Sequence, residues 1–118
     1  MSSIKHVSKA TFANEVIHSA VPVLIDFYAG WCGPCRMLAP VLERLAIEFG
    51  GRAKIVKVNI DQEQELASQF QVQSIPTLSF VVDGKVAGQA SGVLSESALR
   101  QALNHLATAA PAATRRVG

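Results

Sequence analysis

Two cysteines, Cys32 and Cys35, stand three positions apart, and the chain has no others. A pair at this spacing invites thiol–disulfide exchange. Residues three apart on a helix are neighbours, with about 5–6 Å between Cβ atoms, and a disulfide needs Cα atoms about 4.4–6.8 Å apart. The pair can therefore open and close with little backbone movement. Hydrophobic residues run up to Trp31 and a helical pattern follows Pro34, so the cysteines fall where a strand ends and a helix begins. There the free N–H groups and the helix dipole favour an anion at Cys32. Cys35, one turn in, is expected deeper and more often protonated. A zinc site is the other use of paired cysteines, but zinc in structural sites usually takes four protein ligands. His6, His18 and His105 show no ligand-like spacing. No metal is expected. An inert structural pair fits the helix-start position less well.

Asp26 is the other conspicuous residue. It interrupts the apolar run 23–28, and a buried carboxylate costs several kcal/mol unless paired or neutralised. Lys57 interrupts the apolar run 54–60 in the same way, which leaves an Asp26–Lys57 ion pair open as one reading.

The elements that would position these residues follow from the hydrophobic pattern. Residues 8–19 read as a short helix, with Phe12, Val16 and Ile17 at helical spacing. Residues 23–28 read as a buried central strand. Residues 34–49 form a helix with Leu38, Val41, Leu42, Leu45 and Phe49 on one face, a Pro40 kink inside and Gly50-Gly51 at its end. A second buried strand spans 54–60 and a short helix 63–70. Two strands, 77–82 and 85–90, meet at Asp83-Gly84, a hairpin signal. Ser95 caps a last helix striped by Leu99, Leu103 and Leu106. A helix between the first two long strands implies a parallel, right-handed crossover. The result is an α/β domain, a mixed sheet covered by helices.

Composition narrows the function. One domain accounts for 118 residues. The formal charge of +2 is too small and too dispersed to argue for nucleic acid. No apolar run approaches the roughly 20 residues of a membrane span. The first twenty residues lack the apolar core of a signal peptide, so a cytoplasmic location is expected. Residues 108–118 carry no apolar periodicity and read as a disordered tail, leaving a domain over 1–107.

The run Trp31-Cys32-Gly33-Pro34-Cys35 resembles the active-site motif of the thioredoxin family. Asp26, the run Val58-Asn59-Ile60-Asp61, Ile75-Pro76-Thr77, Asp83-Gly84 and Gly92 extend the resemblance from about residue 4 to residue 106. It implies a five-stranded mixed sheet flanked by four helices. It implies reduction of protein disulfides, with Cys32 as nucleophile and Cys35 as resolving thiol, by a monomer that binds no cofactor. Recharging would come from a thioredoxin reductase, a flavoprotein that draws on NADPH. By the same resemblance Asp26 and Lys57 serve proton transfer at Cys35, and Pro76 follows a cis bond beside the dithiol. Trp31, Ile75, Pro76 and Gly92 would contact substrate. Gly33 and Pro34, between the cysteines, would tune the potential. Blander readings remain for several of these: a core tryptophan, an ordinary proline at a strand start, a plain turn glycine. Tyr28, Gly30, Arg36 and Ser74 depart from the residues common in the family and bear on partner choice. The alternatives to a reductase are a disulfide oxidase or isomerase, disfavoured by the Gly-Pro pair, and a scaffold that binds partners without turnover.

Overall fold

The computed structural model describes residues 4–115, with side chains through Thr108. In chain order the elements are β1 (Lys5–His6), α1 (Ala13–Ile17), β2 (Val23–Tyr28), α2 (Gly33–Phe49) with a single 3-10 turn (Gly50–Arg52) at its end, β3 (Lys54–Asn59), α3 (Gln64–Gln69), β4 (Thr77–Val82), β5 (Lys85–Ser91) and α4 (Glu96–Arg115). They build one five-stranded sheet in the order β1-β3-β2-β4-β5. The pairs β1–β3 and β2–β3 are parallel, and β2–β4 and β4–β5 antiparallel. The mixed sheet with four helices is the architecture the sequence implies.

The sheet is central because its strands are apolar on both faces, so each face needs a cover. On one face Leu24, Ile55, Leu78 and Phe80 pack against Leu38, Leu42, Leu45 and Phe49 of α2 and Leu99 and Leu103 of α4. On the other, Ile25, Phe27, Val56, Val58 and Val81 pack against Val16 of α1 and Leu66 of α3. The register sets Asp26 opposite Lys57 and Leu78, on the face covered by α2 and α4.

Three elements differ from the sequence reading. The helix expected over 8–19 is reduced to the single wide turn of α1, closed by an i→i+5 bond from His18 N–H to Ala13 O. Side chains hold the preceding residues in a turn: Ser8 N–H donates to Thr11 Oγ1 and Lys9 N–H to Glu63 Oε1. Thr11 N–H donates to Ser8 O, so the chain closes a separate turn over 8–11 before the single wide turn of α1 begins. The first strand, β1, has two residues with exposed side chains and hence no apolar run to read. Finally, α4 continues to Arg115, past the domain end read at residue 107. The remainder of the expected tail, 116–118, lies outside the described residues, as do the side chains beyond Thr108.

The β4–β5 turn follows the sequence closely. Asp83 and Gly84 have φ of 52° and 78°, the left-handed pair that a two-residue hairpin needs. Ser95 Oγ accepts the Ala98 N–H at 3.1 Å and starts α4. Among the described residues no helix is long and apolar enough to cross a membrane.

Candidate functional site

The site is assembled where β2 gives way to α2. After Tyr28 the chain turns through Ala29, Gly30 and Trp31, and Cys32 becomes the N-cap of α2 with extended backbone. Pro34 lies in the first turn, where its missing N–H costs nothing. Cys32 and Cys35 are joined as a disulfide with Cα atoms 5.3 Å apart. The Cys35 N–H donates to Cys32 Sγ at 3.2 Å. This is an N-cap bond with sulfur in place of the usual oxygen. It marks Cys32 Sγ as the sulfur that a negative charge would suit.

Burial does not separate the two sulfurs as the sequence reading expects. Cys32 and Cys35 are each 4% exposed, so Cys35 is not the deeper residue in the disulfide form. The N-cap bond is what tells them apart. Both pack with Ala29 and against Tyr28, Ile60 and Ile75.

Asp26 is 1% exposed, and neither carboxyl oxygen has a hydrogen-bond partner among the described residues. The ion pair with Lys57 that the sequence leaves open is not formed. The Lys57 ammonium sits instead over the Tyr28 ring, 4.5 Å from its centroid. Burial pushes the Asp26 carboxyl up to about 6, against the opposing pull of the Lys57 charge. Cys35 heads the buried row of α2; Leu38, Leu42, Leu45 and Phe49 of that row pack on the sheet face carrying Asp26, while Cys35 packs with Cys32 and Ala29 against Tyr28, Ile60 and Ile75.

The remaining candidates surround the disulfide. Trp31 is 67% exposed, so it is not a core residue. Its indole N–H donates to Asp61 Oδ2 at 2.9 Å. The Ile75–Pro76 bond is cis, as the resemblance implies, and Pro76 leads directly into β4. Gly92 N–H donates to Pro76 O at 2.8 Å, which brings Gly92 beside that turn. Gly92 has φ of 93°, a conformation glycine alone adopts readily, and open space where a Cβ would stand. Gly33 likewise has nothing within 4 Å of a built Cβ.

Three groups hold this region, of which the sequence reading gave Asp61 and His6 no site role and Arg36 only a bearing on partner choice. Asp61 anchors Trp31 across 30 positions of sequence. Its own N–H is fixed by Asn59 Oδ1 at 2.9 Å, an Asx turn that the Asn-Ile-Asp run could have suggested. Arg36 Nη2 donates to Gly30 O at 2.7 Å and braces the loop before the cysteines. His6 Nδ1 lies 3.1 Å from the Tyr28 hydroxyl, a contact made by the two-residue strand β1. Among the described residues no group of three His, Cys, Asp or Glu side chains could hold a metal ion.

The family model for thioredoxin matches residues 3–105. Thioredoxin from Haemophilus influenzae is 46% identical over 104 residues, which cover 88% of this chain and 97% of that protein. Thioredoxin 1 from a Nostoc species is 45% identical over 103 residues, 87% of this chain and 96% of the relative. Thioredoxin 1 from Chlorobaculum tepidum is 48% identical over 83 residues, 70% of this chain and 82% of the relative. Matched along nearly its whole length by relatives of one name, and carrying a bonded cysteine pair across the first turn of a helix, this chain belongs to the thioredoxin family and is a thiol–disulfide oxidoreductase.

Proposed function

We propose that the protein reduces disulfides of other proteins, with Cys32 as nucleophile and Cys35 as resolving thiol. The N-cap bond from Cys35 N–H to Cys32 Sγ carries this assignment, because it stabilises a thiolate at Cys32. In the reduced protein the Cys32 thiolate attacks one sulfur of the target disulfide. A mixed disulfide forms, and the other target sulfur leaves as a thiolate. Cys35 then loses its proton to Asp26 and attacks Cys32 Sγ. The Cys32–Cys35 bond closes, and the second target sulfur leaves. The dithiol supplies two electrons to the target, whose two thiolates then take up protons, one of them the proton that passed from Cys35 to Asp26 and the other from water.

Asp26 suits the acceptor role because its carboxyl, unpaired and buried, titrates near 6. Lys57 is the charge that acts on it. Trp31, Ile75, Pro76 and Gly92 form the contact surface for target segments. Trp31 offers exposed apolar area, and the Ile75 backbone pairs with an extended strand. Gly33 and Pro34 set the potential by stiffening the turn without adding a cation. A thioredoxin reductase drawing on NADPH restores the dithiol, the protein acts as a monomer, and the location is cytoplasmic.

Insulin reduction in the presence of NADPH and a bacterial thioredoxin reductase tests the reading. Turnover that disappears in Cys32→Ser supports it. Partner binding that survives loss of both cysteines, with no insulin reduction by the parent, would replace it with a non-catalytic scaffold.

A further inference from the structure

Lys57 stands between two possible partners. The parallel register sets it directly opposite Asp26, and alternation along β2 puts Tyr28 on the same face as Asp26, two residues on. The half-buried ammonium could lean to the carboxyl or to the ring. It takes the ring, 4.5 Å from the centroid, and both Asp26 oxygens are left without a hydrogen-bond partner among the described residues. The ring is itself fixed from its far end: its hydroxyl lies 3.1 Å from His6 Nδ1, and the two rings meet edge to face at 5.8 Å.

We propose that Tyr28 is a positioning residue that holds the Lys57 ammonium on its ring face and so keeps Asp26 free of an ion pair. The cation is attracted by the electron-rich ring face, which satisfies it without a carboxylate. Asp26 is left to feel burial more than charge. An ion pair would hold the carboxylate ionised and make it a poor proton acceptor near neutral pH. The groups that face Asp26 from the packed elements are few. They are Lys57 on β3, Tyr28 on its own strand with His6 of β1 behind it, Leu78 on β4, and the buried apolar rows of α2 (Leu38, Leu42) and α4 (Leu99, Leu103), which carry no titratable group. The consequence for turnover rests on the reading of Asp26 as proton acceptor; the positioning itself does not.

The test is a carboxyl-carbon NMR titration of Asp26 in the disulfide form, where neither cysteine titrates. Tyr28→Leu removes the ring and should lower the Asp26 midpoint by about one pH unit or more, as an opposite charge at ion-pair distance does. Tyr28→Phe keeps the ring face and should shift it by less than half as much. In a Lys57→Met background, Tyr28→Leu should leave the midpoint where Lys57→Met alone puts it. This last comparison separates positioning from simple hydration, since water admitted by the smaller side chain would lower the midpoint with or without Lys57. A midpoint unmoved or raised in Tyr28→Leu overturns the proposal. So does an equal fall when Lys57 is absent, or a Tyr28→Phe shift at least half that of Tyr28→Leu. If the midpoint moves as expected while the pH profile of insulin reduction stays in place, the positioning stands and the proton-acceptor reading of Asp26 fails.

Discussion

A thiolate at Cys32 has the Cys35 N–H directed at it from 3.2 Å and the start of a 17-residue helix behind it, whereas Cys35 lies within the helix and has no matching bond to its sulfur among the described residues. Equal exposure of the two residues makes this contrast the whole basis for their division of labour. Cys35→Ser keeps the attacking sulfur and removes the group that resolves the mixed disulfide. It should therefore accumulate covalent adducts with target proteins that a reductant dissolves. Cys32→Ser should accumulate far fewer. Iodoacetamide should alkylate Cys32 first, with a midpoint below the ordinary cysteine value of about 8.5. Equal trapping by the two variants, or faster alkylation at Cys35, would reverse the assignment. Asp26 gives a second residue-level expectation. Asp26→Ala deletes the group proposed to take the Cys35 proton, so the rate of insulin reduction should fall several-fold near pH 7, less than the roughly 100-fold or more of a full general-base effect because water can take the proton in its place. A parent-like rate between pH 6 and 8 would remove Asp26 from the reaction.

At the scale of elements, the β4–β5 hairpin shows how backbone conformation limits the choice of residue. Gly84 has φ of +78°, and a Cβ there would stand 3.2 Å from the Ile17 carbonyl oxygen of α1. Gly84→Ala meets both left-handed strain and backbone that cannot step aside, and should cost about 1–3 kcal/mol in urea unfolding. Gly88 in β5 has neither problem, so Gly88→Ala should be neutral or mildly stabilising. Similar losses in both variants would mean that strand propensity, not the turn, sets the cost. The same elements show what a sequence displays and what it hides. The long strands β2, β3 and β4 were legible because they are mostly apolar runs with isolated polar interruptions, and the hairpin because Asp-Gly supplies its left-handed pair. The start of α2 was legible through Pro34 and the cysteines. Residues 8–19 misled because Phe12 and Val16 keep helical spacing while residues 8–11 close a turn of their own, held by the Thr11 and Glu63 side chains. Much of the site could be named from the motif, but its internal contacts are non-local. The Lys57–Tyr28, Tyr28–His6 and Trp31–Asp61 contacts each join different segments, and no spacing rule along the chain announces them.

For the molecule as a whole, charge acts on stability in two opposite directions, and their sum is measurable. Glu15 is held below the ordinary carboxylate range first by its bond to Lys54, Glu48 by its bond to Arg100, and Glu96 by its bond to Arg44. The last two tie α2 to α4 through Arg44–Glu96 and Arg100–Glu48 contacts of 2.7 and 2.8 Å. A depressed folded-state value means stabilisation that is present above the unfolded value of about 4.5 and is lost as acid protonates the native pairs. The Arg44–Glu96 and Arg100–Glu48 pairs lie at the surface and the Lys54–Glu15 pair is half-buried, so each of the first two contributes little and salt should weaken it. Asp26 works the other way. Its folded value of about 6 exceeds its ordinary 3.8, so between those limits the native protein binds more protons than the unfolded chain. Stability then falls as pH rises through that window, and the loss is complete above about 6. The difference of about two units corresponds to about 3 kcal/mol at pH 7, an order-of-magnitude figure. The disulfide form should therefore be most stable near pH 4–5, weakening on both sides, with the alkaline loss carried by one buried residue. Urea unfolding from pH 3 to 8 measures this directly. Asp26→Ala should abolish the decline between pH 4 and 7 while retaining the acid loss, and should match or exceed the parent in stability at pH 7, where the removed carboxylate is buried without a partner. If the parent is as stable at pH 7 as at pH 5, or the variant keeps the parent's slope, Asp26 does not carry the cost assigned to it.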